Sequence, residues 1–73
     1  MKLPQLKPRE LIAMISKAGF RRTHDKGGHA YFRHASGRTT CVPQHPGDVP
    51  SGLARKILFK DAALTEQQVR ELL

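Results

Sequence analysis

A chain of 73 residues with 38% hydrophobic content holds one modest core, because a protein this small buries only roughly 60% of the surface its unfolded form exposes. Thirteen Lys and Arg against six Asp and Glu leave a formal charge of +7. That balance points to a polyanionic partner, with nucleic acid ahead of a membrane surface, because no helical segment carries the Trp or Tyr anchors of a membrane-lying helix.

The first predicted element is a helix opened by Pro8, a residue tolerated in a first turn, with Leu11, Ile12, Ile15 and Ala18 at three- and four-residue steps and Gly19 as its stop. A strand follows over Phe20 to Asp25. Lys26-Gly27-Gly28 then supplies the positive-φ residues of a tight reversal, and a second strand runs from His29 to His34. Ser36-Gly37 is a further turn signal, and Arg38 to Val42 forms a third strand that Pro43 ends. The centre of the chain is thus a three-stranded antiparallel meander.

Gln44 to Pro50 holds two prolines and a glycine and is predicted as a loop. Ser51 is expected to cap a second helix that buries Leu53, Ala54, Ile57 and Leu58, with Arg55, Lys56 and Lys60 on or near the other side. Thr65-Glu66-Gln67-Gln68 has capping-box spacing and starts a short last helix. The fold class is α+β, one domain over residues 1–73, with both main helices on a single face of the sheet and the other face free.

No apolar run approaches the ~18 residues of a membrane span, and Met1 to Gln5 has no apolar export segment. Cys41 is the lone cysteine and cannot close an internal disulfide, which fits a reducing compartment; a cytoplasmic location is expected.

Alternation puts His29, Tyr31 and Arg33 on one face of the second strand and Ala30, Phe32 and His34 on the core side. His29 then points outward beside a glycine pair that lets a phosphate approach, with Lys26 on the same turn. A histidine so placed can take the proton of a ribose 2′-hydroxyl or give one to a leaving 5′-oxygen without metal; by composition and spacing alone, however, a lone histidine beside a hairpin turn is usually just a surface residue. His24 and His34 are read as phosphate-contacting or merely solvated. The histidines and Cys41 lack the paired short spacings of a zinc site, so no metal or other cofactor is expected. Arg21, Arg22, Arg33, Arg38, Arg55, Lys56 and Lys60 make up the candidate basic surface.

The segments "ELIAMISKAGF", "KGGHAYFRH", "TTCVPQHPGDVPSGLARKIL" and "AALTEQQV" together resemble the HicA family of small bacterial and archaeal toxins, from about Glu10 to Leu73. The resemblance implies a double-stranded-RNA-binding-like α-β-β-β-α fold. It also implies an mRNA interferase that cleaves RNA until a HicB antitoxin covers its active site. The family's Gly-Ser-His motif falls on Gly27, Gly28 and His29, which makes His29 the catalytic residue; glycine stands where serine is common, and Ala30 stands where a second histidine often follows. Lys26, Gly27, Gly28, Arg33, Arg38, His45, Arg55 and Lys56 are the expected RNA contacts. The alternative is a small RNA-binding module without catalysis.

Overall fold

In the computed structural model, which describes residues 1–73, α1 (Pro8–Lys17) begins where a proline's missing N–H costs nothing. The Glu10 carboxylate accepts the backbone N–H of Lys7 at 2.8 Å and closes the first turn. Leu11, Met14 and Ile15 form its buried stripe. Ile12 and Ala18, expected in that stripe, pack half-buried at its margin, and Met14 takes the inner position.

The three strands are β1 (Phe20–Lys26), β2 (His29–His34) and β3 (Thr39–Pro43), antiparallel in the order β1-β2-β3. Lys26 pairs with His29 across a two-residue turn in which Gly27 has φ +58° and Gly28 φ +78°. Two successive positive φ values define the hairpin turn whose twist matches that of its strands. Along β2, Ala30 and Phe32 are buried, and in β3 they meet Thr40 and Val42. A bulge between Arg22 and His24 leaves Thr23 unpaired, so His24 joins the outer face that strict alternation denies it.

After β3 the loop returns to the N-terminal segment, where Leu6 and Val49 form an isolated antiparallel bridge and are both buried. The expectation that Ser51 caps the next helix is corrected. Ser51 is already the first helical residue of α2 (Ser51–Arg55), Pro50 takes the cap position, and no side chain accepts a bond there. From Lys56 to Asp61 the chain continues without a break as a π-helix, and its wide turn ends in a bond from the Ala62 N–H to the Ile57 carbonyl at 2.9 Å. A final helix, α3 (Glu66–Leu72), has the predicted reciprocal cap: Thr65 Oγ1 accepts the Gln68 N–H at 3.1 Å, and Gln68 Oε1 accepts the Thr65 N–H at 2.8 Å.

Fourteen buried apolar residues, from α1, the inner sheet face, α2, the π-helical segment and α3 together with Leu6, Val49 and Ala62, form one cluster. The Cα extents of 31 × 30 × 16 Å are those of a two-layer slab. The helices lie on one face of the sheet, as the α-β-β-β-α order expected, and the opposite face is open. No helix is long and apolar enough to cross a membrane.

Candidate active site

The glycine turn is fastened from two sides. The Gln44 N–H, one residue beyond β3, donates to the Gly28 carbonyl at 2.7 Å. The Gln44 side-chain amide donates to Asp25 Oδ2 at 3.1 Å, and the same carboxylate takes Nε and Nη2 of Arg22 at 2.9 and 2.6 Å. Arg22 holds the Asp25 carboxyl below the usual carboxylate range, Gln44 adds to the effect, and Arg22 is itself raised by Asp25. The end of β1, the turn and the exit from β3 therefore form one polar lattice.

His29 begins β2 immediately after this turn and is half-buried. Its Nδ1 lies 3.1 Å from the Gly27 carbonyl oxygen. A carbonyl only accepts, so in the neutral ring Nδ1 carries the hydrogen and Nε2 keeps its lone pair. The turn thus fixes both the ring and its tautomer. Lys26, directly across the ladder, is exposed and has no carboxylate partner.

His45 follows Gln44, two residues beyond Pro43, the residue that pairs with His29. It is exposed, its Nδ1 lies 3.0 Å from the Pro46 carbonyl, and it shares an open groove of about 450 Å³ with Lys7, Arg9 and Arg22. Lys26, Gly27, Gly28, His29 and His45 are thereby gathered at one end of the sheet.

Residues 8–64 match the family described as the HicA toxin of bacterial toxin-antitoxin systems. The chain belongs to the HicA toxin family. Membership makes it the toxin of a toxin–antitoxin pair, with an antitoxin as its partner. No curated protein matches the chain.

The remaining expected contacts of this HicA toxin are dispersed. Arg33 shares the outer face of β2 with His29, four residues further along, and is exposed. Arg38 lies past the other end of β2 and turns inward: Nη1 donates to the Ala62 carbonyl, Nε to Ser36 Oγ at 2.9 Å, and the guanidinium sits 5.7 Å from the Phe20 ring centroid. Arg55 donates to the Met1 carbonyl at 2.6 Å and lies over Phe59. Lys56 pairs with Asp61 at 3.1 Å, and Asp61 in turn accepts from Thr40 Oγ1.

The other histidines have structural partners. His34 Nδ1 accepts the Ser36 N–H at 3.0 Å and organises the β2–β3 turn, with its ring against Phe20. His24 stacks on Tyr31, with centroids 4.6 Å apart and planes within 4°. Cys41 pairs with Tyr31 on the outer face and is half-buried. Nowhere do three His, Cys, Asp or Glu side chains converge in a group that could hold a metal ion.

Sequence reasoning missed Gln44, Asp25 and the His24–Tyr31 stack. A signal for the stack exists, because no apolar residue follows Phe20 in β1: strict alternation would have sent Arg22 and His24 into the core.

Proposed function

We propose that this HicA toxin is a metal-independent endoribonuclease whose reaction is driven by His29. The ribose 2′-oxygen attacks the adjacent phosphorus while its proton passes to His29 Nε2. The P–O5′ bond breaks, and the leaving oxygen receives a proton from the imidazolium or from water. The products are a 2′,3′-cyclic phosphate and a 5′-hydroxyl end. Lys26 faces the phosphate and offsets the charge that builds on its oxygens, an effect worth a few kcal/mol in preorganised sites.

The observation that carries this reading is the bond between His29 Nδ1 and the Gly27 carbonyl, which aims a basic nitrogen outward from a fixed turn in a protein of this toxin family. Arg33, Arg38, Arg55 and Lys56 are proposed as RNA contacts because of the excess of basic residues over carboxylates, and His45 because it matches a recurrent family position. Of these, Arg33 and His45 are the freest to meet a phosphate. An acidic HicB-like antitoxin would neutralise the toxin by covering the turn.

The test is induction of the wild-type gene beside the His29→Ala form, with RNA ends mapped in both. Growth arrest and cyclic-phosphate ends are expected only in the wild type. Arrest and cleavage that survive in His29→Ala would refute the assignment, and cutting of a DNA strand, which lacks the 2′-hydroxyl, would refute the chemistry.

A further inference from the structure

The open face of the sheet is ordered in three rungs. Across the strands, Lys26 stands with His29 and Pro43, His24 with Tyr31 and Cys41, and Arg21 with Arg33 and Thr39. Rungs on one face lie ~7 Å apart. An aromatic rung therefore separates two cationic ones. The ion pairs of the protein engage Lys7, Arg22, Lys56, Arg70 and the N-terminus, which leaves Lys26, Arg21 and Arg33 without a carboxylate.

In the middle rung, His24 covers the β1 side of the Tyr31 ring. On the β3 side the small residues Cys41 and Thr39 leave an open slot of about 300 Å³, lined also by Tyr31, Thr40, Lys56 and Asp61. It has an aromatic wall, a floor of small side chains and a polar end. There Asp61, 19% exposed, offers acceptor lone pairs and Lys56 donor hydrogens.

A flat aromatic wall between two sets of unpaired cations fits a base with a phosphate on either side. We infer that the slot takes one nucleobase of a single-stranded RNA, stacked on Tyr31 in continuation of His24, with the flanking phosphates held by Lys26 and by the Arg21–Arg33 pair. The inference rests on the endoribonuclease reading for the polymer and adds how the polymer is seated. A base in a duplex is already stacked and paired, so only an unpaired strand can supply it. The ring centroids of His29 and Tyr31 are 6.5 Å apart, so the seated base fixes which phosphodiester comes before the imidazole.

Tyr31 is the only tyrosine and the chain has no tryptophan, so the protein's ultraviolet emission reports on this ring. Titration with a single-stranded 2′-O-methyl RNA octamer, whose blocked hydroxyl cannot attack, is expected to quench that emission in step with binding followed by anisotropy of a labelled strand. An abasic strand of equal length should bind more weakly and quench little. Tyr31→Phe should bind as wild type, whereas Tyr31→Thr should weaken binding about tenfold or more with an unchanged salt slope. Cys41→Ile, which fills the slot from a half-buried position and keeps the tyrosine, should have the same effect as Tyr31→Thr; thermal melting confirms that each variant is folded. Octamer binding without quenching, unaffected by Tyr31→Thr and Cys41→Ile, overturns the slot and leaves the RNA reading standing. Failure of the wild type to bind any oligonucleotide overturns the RNA reading, and the slot with it.

Discussion

The Gln44 N–H and the Gly28 carbonyl meet at 2.7 Å, which joins the exit of β3 to the turn that presents His29. Gly28 is thus held in a left-handed conformation, φ +78°, with open space where a Cβ would stand. The requirement is conformational rather than steric. Gly28→Ala should therefore cost ~1–2 kcal/mol of stability, the price of a side chain in that region of backbone space. Chemical denaturation of the two proteins measures it. RNA cleavage should fall by more than the lost folded fraction, because the same strain displaces the His29 ring.

Asp25 links Arg22 and Gln44, and its carboxyl is held below the ordinary range by Arg22 first and Gln44 second. A carboxyl depressed in the folded state binds fewer protons there than in the unfolded chain. Its stabilising contribution is thus present above the ordinary range, about pH 4, and is lost as the pH falls through the folded value. The melting temperatures of wild type and Asp25→Asn, measured from neutral pH downward, should differ above that range and converge below it. Divergence on acidification would contradict the bond geometry.

Arg38, one of the proposed RNA contacts, is also a tertiary strut in the fold. Its guanidinium ties the β2–β3 turn to the Ala62 carbonyl at the end of the π-helical segment and lies over Phe20. Hydrogen bonds from a charged donor contribute ~1.5–3 kcal/mol, so Arg38→Ala should lose about that much on thermal or denaturant unfolding. Arg38→Lys should recover little, because an ammonium cannot span both partners as a planar fork does.

How far the fold was legible follows from which contacts are local. The α1 stripe, the glycine turn and the Thr65–Gln68 cap each depend on residues within a few positions of one another, and periodicity or turn chemistry reveals them. The Leu6–Val49 bridge, the inward turn of Arg38 and the bond from Thr40 to Asp61 join residues more than twenty positions apart. No local pattern encodes them. The bulge at Thr23 is an intermediate case: it moves one residue out of register and thereby exchanges the faces of His24 and Asp25, so the outer aromatic rung could not be drawn from alternation. At the candidate site, His29, Lys26 and the glycines were read from the turn itself, whereas the supports from Asp25 and Gln44 appear only once the strands are paired.

Arg21 and Arg33 stand directly opposite one another on β1 and β2, both exposed, and neither takes part in an ion pair. Like charges facing each other across a ladder destabilise it, by the ~0.2–1 kcal/mol typical of cross-strand pairs. Arg33→Gln should accordingly raise the melting temperature at low salt, and the gain should fade in molar salt, where the screening length shrinks to ~3 Å. The same variant should bind single-stranded RNA more weakly, with the slope of log affinity against log salt reduced by ~0.7 for one lost phosphate contact. A protein that becomes steadier while losing its hold on RNA would place the cost of the arginine pair in folding and its benefit in binding. If stability and affinity both stay unchanged, neither the repulsion nor the phosphate contact operates at this rung.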